Sequence, residues 1–189
     1  MTGSLALAGM DTALATAASE AAGNADLRDA ALRGLARAAD RGDPVLADQA
    51  EAVLAQLDVS DPEGALLVRI YRAFDLASAA YRFGGSGEEP GDVLALAALH
   101  AAVRDSKAIS FDYVDVQSNR TTRTVLPLAI VHPPQGIKLL AWCEKRQDHR
   151  QFFVRAVSKI KVHEKRFNKR RPLLLRQLAD NAAERRLEG

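Results

Sequence analysis

The chain has a single cysteine, Cys143, in 189 residues. One thiol cannot form an intrachain disulfide, so the fold is expected to hold without crosslinks in a reducing compartment. Aromatic residues are scarce, at 5%, whereas alanine is abundant. Much of the chain should therefore be helix packed through small side chains. No Lys or Arg precedes Arg28, so the start, MTGSLALAGMDTALATAASEAAG, lacks the basic n-region of a secretion signal. No apolar run reaches the length of a membrane span. The expectation is a soluble, cytoplasmic protein with no membrane contact.

Catalytic signatures are missing as well. The one glycine cluster, GGSG at 84–87, follows a helical stretch, so the strand-to-helix setting of a phosphate loop is absent. His132, Cys143, His149 and His163 show no close metal-ligand spacing. Cys143 lies in an alternating apolar segment and reads as a buried, inert thiol rather than a nucleophile. Asp112 and Asp115 read as strand-edge or turn carboxylates. No catalytic residue, metal or cofactor is implied, and the expected protein is not an enzyme.

Hydrophobic residues make up 48% of the chain, enough for a packed core. The formal charge of +2 conceals a split: residues 1–91 hold 7 Lys or Arg against 14 Asp or Glu, and residues 92–189 hold 19 against 10. Such asymmetry suggests two functional parts, the basic one facing an anionic partner. The plainer alternative is that the two parts attract each other.

The first part reads as helical. Helices are expected over 11–22 and 26–40, the latter with Leu27, Ala31, Leu35 and Ala38 on one face. Asp43-Pro44 and Asp61-Pro62 each start a further helix, with the Asp as cap and the Pro in the first turn. Leu66, Leu67, Ile70, Tyr71, Phe74 and Leu76 form the apolar face of the second. FGGSGEEPG, 83–91, is the clear break in the chain. Beyond it a helix over 93–106 carries Val93, Leu96, Leu99, His100 and Val103 on one side.

From Ile109 onward, β-branched and aromatic residues alternate. Strands are expected at about 108–116, 121–131, 137–143, 150–155 and 158–163, with turns at QSNR, HPPQG, EKRQDH and near Ala156. Five short strands with tight turns suggest a small, strongly bent antiparallel barrel. RPLLLRQLADNAAERRL, 171–187, closes as a helix with Leu174, Leu178 and Leu187 inward and its arginines outward. The class is α+β: a helical region over 1–83, a linker over 84–91, a barrel with its lead-in helix over 92–167, and a C-terminal helix within 168–189.

The stretch IKLLAWCEKRQDHRQFFV, 137–154, sets Lys145, Arg146, His149 and Arg150 between two apolar strands. A hairpin needs a polar turn but not this much basic charge. Arg123, Arg146, Arg150 and Arg155 fall on separate strands or turns that a compact barrel brings close. Arginine offers a planar fork of donors that matches phosphate oxygens, so several on rigid strands would form an anion site. A solvated surface neutralised by Glu144 and Asp148 is the competing reading.

From about 93 to 167 the chain resembles the WYL domain of bacterial regulators and phage-defence proteins. Phe111-Asp112-Tyr113 look like its first strand, and Arg123 to Pro127 (RTVLP) resemble its arginine-to-proline step. IKLLAWC falls where the naming strand lies, although only Leu139 of the tripeptide is kept, with Ile137 and Lys138 at the other two places. RQDHRQF, 146–152, resembles the arginine-rich turn, and VSKI with Phe167 completes the register. The resemblance implies a small SH3-like or Sm-like antiparallel β-barrel and a ligand pocket using Arg123, Arg146 and Arg150. Tyr113 is added for stacking, a role open also to Trp142, with Lys145 or His149 at the rim. The family's last arginine position holds Ala156 here, and a shift to Arg155 would turn that side chain to the other face.

The implied function is a non-enzymatic regulator, in transcription or phage defence, that binds a nucleotide or single-stranded nucleic acid and signals through its helices. Residues 1–83 show no wing strands and carry the wrong charge to lie on DNA; a protein-interaction or homodimer role is expected for them. The alternative is a structural or adaptor protein whose basic barrel mediates protein–protein or self association.

Overall fold

The structure is a computed structural model that describes residues 24–38, 44–75, 93–115 and 117–187. Residues 24–38 form helix α1. Then come α2 (Pro44–Ser60), α3 (Pro62–Asp75), α4 (Val93–Arg104), β1 (Lys107–Val114), β2 (Arg120–Val131), β3 (Lys138–Cys143), β4 (Asp148–Phe153), a 3-10 turn over Val154–Ala156, β5 (Val157–Arg166) and α5 (Arg171–Leu187). The helix expected over 11–22, Leu76 and the glycine-rich 83–91 segment lie outside the described residues. The class is α+β: helices, a five-stranded antiparallel sheet and a final helix.

Helix starts follow local chemistry. Asp61 caps α3 by accepting the Gly64 N–H on Oδ1 at 3.0 Å, and Pro62 occupies the first turn, where no donor is needed. A Cβ at position 64 would come within 2.4 Å of Asp61 Oδ2, so glycine there makes room for the cap. Arg28 of α1 holds the same carboxylate through Nε and Nη2 at 2.9 and 2.8 Å.

The sheet order is β4-β3-β2-β1-β5. The expected strongly bent barrel is not closed, with no ladder between β4 and β5 among the described residues. The sheet is nevertheless strongly bent. Five flat strands would place the outer two about 19 Å apart, yet β4 and β5 are joined by the three residues Val154–Ala156, whose 3-10 rise covers about 6 Å. The sheet must curl for the chain to pass between its edges.

Each face of the sheet has its own core. On the inner face, Ile109, Phe111, Val125, Ile130, Leu139, Ala141, Cys143 and Phe152 pack with Leu99 and Ala102 of α4. On the outer face, Leu126, Leu128, Ala129 and Leu140 pack with Leu32 and Ala36 of α1, with α3, and with Leu174, Leu175 and Leu178 of α5. The N-terminal helices thus share a core with the sheet. Each fully buried side chain such as Ile70 or Leu175 contributes about 1.5–3 kcal/mol.

Two particulars differ from the expected pattern. The buried face of α1 is Leu32 and Ala36, while Leu27 is 70% exposed. The face is turned because Asp29 and Arg33 also point at the sheet side. Arg33 stacks 4.1 Å over the Tyr71 ring and donates to Ile130 O at 2.7 Å, and Tyr71 donates its hydroxyl hydrogen to Asp29. Burial pushes the Tyr71 phenol well above its ordinary pKa. In α5, Arg171 is buried rather than outward: it pairs with Glu63 at 2.9 Å and donates to Pro127 O and Leu128 O at 3.3 and 3.1 Å. Those two carbonyls lie at a register break between Pro127 and Ala129. The bulge explains why Leu126 and Leu128 face outward while Ile130 faces inward.

Candidate anion-binding site

Strand pairing decides which side chains meet. Arg123 pairs with Phe111, and Val125 with Cys143. Residues two apart share a face, so Arg123 extends the inner face beyond Val125. Arg150 and Phe152 sit opposite Ala141 and Leu139, which places them on the same face. Arg146 comes from the β3–β4 turn, where Gln147 adopts φ 51° and its N–H bonds Cys143 O at 2.8 Å. Gln147 Nε2 closes the turn on Glu144 O at 2.6 Å.

These elements frame a cleft of about 190 Å³ lined by Tyr113, Asp115, Arg123, Cys143, Arg146, Arg150, Gln151 and Phe152. Its apolar wall is a set of edge-to-face rings, with Tyr113 and Phe152 centroids 5.1 Å apart and Phe111 and Phe152 5.2 Å apart. Cys143 is buried and unpaired.

The arginines are differently engaged. Arg123 donates from Nε to Thr121 Oγ1 at 3.1 Å, but its Nη1 is buried with no hydrogen-bond acceptor among the described residues. Arg150 Nε lies 3.6 Å from Asp148 Oδ2, both side chains about half exposed, a pairing worth little in water. Asp115 is committed to its own turn: Oδ1 accepts the Gln117 and Asn119 N–H groups, both at 2.9 Å. The Asn119 bonds, and more weakly Arg123, hold its carboxyl below the usual range. Three guanidinium groups against one occupied carboxylate leave the cleft cationic, with a buried donor unsatisfied.

Of the expected site residues, Arg123, Arg146, Arg150 and Tyr113 are brought together. Lys145 is exposed in the turn and does not line the cleft. His149 lies on the outer face: its Nε2 is 2.9 Å from Leu174 O of α5 and its ring packs edge-on to Trp142 at 5.1 Å. Burial keeps its pKa below the ordinary value, despite the Leu174 carbonyl and Asp148. β4 begins at Asp148, so His149 and Arg150 are adjacent strand residues and point oppositely. Trp142 shares the outer face. Arg155 sits in the 3-10 turn, 4.5 Å over the Phe153 ring and bonded to Gln135 O at 2.9 Å, away from the cleft. Asp115 and Phe152 line the cleft although neither was expected among the site residues. The Asp115-to-Asn119 spacing of a side-chain-closed turn was the available signal for the first.

The family model of the WYL domain matches residues 95–162. No curated protein matches the chain. Among solved structures, proteasome accessory factor B/C (PafBC) of Arthrobacter aurescens aligns at 21% identity and a TM-score of 0.43, covering 77% of this chain and 21% of that one. The chain thus spans about a fifth of that protein's length. The segment from α4 into β5, which holds the bent five-stranded sheet and the cluster of arginines, is the part of the chain that the WYL domain model matches.

Proposed function

We propose that this chain is a non-enzymatic regulatory protein whose WYL domain binds a phosphate-bearing ligand, a nucleotide or a single-stranded nucleic acid, in the arginine cleft. The observation that carries the reading is the convergence of Arg123, Arg146 and Arg150 on one cleft where Arg123 Nη1 is buried without an acceptor. An unpaired buried donor is costly, and a phosphate oxygen would satisfy it with a charge-assisted bond. Tyr113 and Phe152 offer ring faces or edges to a base beside that phosphate.

The helical region is the proposed route of output. Arg33 of α1 and Arg171 of α5 both bond carbonyls of β2, the strand that carries Arg123. A shift of β2 on ligand binding would be felt by the helices packed on its outer face. Transcription control and phage defence are the settings that the family resemblance implies.

Titration calorimetry and fluorescence anisotropy with mononucleotides and short oligonucleotides test the reading. Alanine at any one of Arg123, Arg146 or Arg150 should weaken binding by about 1–3 kcal/mol. Unchanged affinity in the triple alanine variant would overturn it.

A further inference from the structure

The arginine cleft does not account for most of the basic charge. Residues 159–171, KIKVHEKRFNKRR, contain seven Lys or Arg and one acidic residue, Glu164. That is +6 in thirteen positions, two thirds of the +9 carried by residues 92–189. Arg171 is buried with Glu63, but Lys159, Lys161, Lys165, Arg166, Lys169 and Arg170 are all exposed. Glu164 is engaged by Lys107 at 3.3 Å. Lys159 meets Asp112 at 3.2 Å and Lys165 meets Glu144 at 3.1 Å. Lys161, Arg166, Lys169 and Arg170 have no ion-pair partner among the described residues.

The segment is a fixed surface. β5 is laddered to β1, and its shifts of register place nine residue steps, Val157 to Arg166, beside six on β1, Lys107 to Tyr113. The extra residues coil the strand, with Lys159 at φ 54° and side chains turned inward only at every third position. The turn that follows is pinned by buried Phe167, whose N–H bonds Ser106 O at 3.0 Å and whose carbonyl accepts the Arg170 and Arg171 N–H groups at 2.8 and 3.0 Å.

Lysines commonly guard an edge strand against further pairing, and β5 is an edge. That role does not extend to Lys169 and Arg170, which lie past the strand. Nor does it explain where the segment leads. The Lys165–Glu144 ion pair ties β5 to the β3–β4 turn, two residues from Arg146 of the cleft. The exposed cations therefore lead from the start of α5 along β5 to the turn that carries Arg146.

We propose that this β5–α5 surface is a second binding element, which tracks the phosphate backbone of a single-stranded nucleic acid whose one nucleotide occupies the arginine cleft. The inference rests on the reading of the cleft as a phosphate site. A flat membrane cannot reach the buried Arg123 nitrogen, and a duplex keeps its bases stacked out of a cleft of this size, whereas a single strand can enter the cleft and run along the cations outside. DNA and RNA share the backbone chemistry.

The test compares the full chain with the quadruple variant Lys161→Ser, Arg166→Ser, Lys169→Ser, Arg170→Ser, whose fold is checked by circular dichroism. Probes are labelled dT20, rU20, dT4 and a 20-base-pair duplex, each titrated at several salt concentrations. The quadruple variant should bind the 20-mers about tenfold or more weakly, with a salt slope shallower by about 0.7 for each phosphate that it no longer neutralises. Binding of dT4 should stay within about twofold. The stronger of dT20 and rU20 identifies the natural strand. Unchanged 20-mer affinity and slope in the quadruple variant refute the second element even if cleft variants abolish dT4 binding. The reverse pattern, weaker 20-mer binding in the quadruple variant but not in the Arg123, Arg146 and Arg150 variant, keeps the surface and removes the cleft reading. Duplex binding as tight as the single strand's, or no 20-mer binding by the wild-type chain, overturns the inference.

Discussion

Replacing Arg123 by methionine removes the guanidinium group but keeps an unbranched stem of similar reach. Arg123 Nη1 is buried with no acceptor, and its compensation is the Nε bond to Thr121 Oγ1 at 3.1 Å. Leaving a buried donor unpaired costs about 1–3 kcal/mol, while one side-chain hydrogen bond returns about 1 kcal/mol. Relief of repulsion from Arg146 and Arg150 acts in the same direction. The variant should therefore be more stable than wild type by about 1 kcal/mol, a rise in Tm of about 2–4 °C for a chain of this size. Thermal unfolding with and without a single-stranded oligonucleotide reads both consequences. Ligand at a hundred times its Kd should stabilise the wild-type chain by about 2.7 kcal/mol, and the methionine variant should show almost none of that shift. A variant that melts several degrees lower yet keeps the full ligand-induced shift would show that Arg123 is a structural residue and that the cleft argument fails.

Arg171→Ala strands the Glu63 carboxylate and the Pro127 and Leu128 carbonyls at the β2 bulge. It should lower stability in urea titration by about 3–5 kcal/mol, and a drop below about 1 kcal/mol would mean the buried network is not cooperative. Asp61→Ala removes the α3 cap and should cost about 1 kcal/mol at neutral pH. The Arg28 hydrogen bonds hold the Asp61 carboxyl below its ordinary pKa in the folded chain. Its contribution is therefore complete above the ordinary carboxylate range and lost as the pH falls through that range and below it. Asp61→Asn should flatten the acid limb of the stability profile, and an unchanged limb would place that acid sensitivity elsewhere. Cys143 is about 1% exposed, so a thiol reagent should label it only in denaturant; rapid native labelling would show that the cleft floor opens.

How much could be read in the chain depends on the range of the interaction. Helix starts at Pro62 and Val93, the strands from Lys107 onward and the closing helix at Arg171 all follow from local signals: caps, prolines and the change from helical to alternating periodicity. Hairpin order made Arg123, Arg146, Arg150 and Arg155 legible as neighbours, and the family resemblance singled out the first three; which of the four face one cleft was not a local signal. His149 was harder to place. EKRQDH looks like turn throughout, and the start of β4 at Asp148 depends on pairing with Cys143. One residue of strand register decides which face a side chain takes.

Local pattern also left the buried arginines unseen. Arg171 and Arg33 look like surface charges on helices, and they are drawn inward by carbonyls on β2 some forty and a hundred positions away. The amino-acid sequence by itself determined the order and kind of the elements, because caps, turns and periodicity act over a few residues. Tertiary structure alone decided that the helices share a core with the sheet, that the sheet curls without closing, and that three arginines end in one cleft with a buried donor unpaired. Those outcomes depend on which distant surfaces exclude water together, and no short window of sequence carries that information.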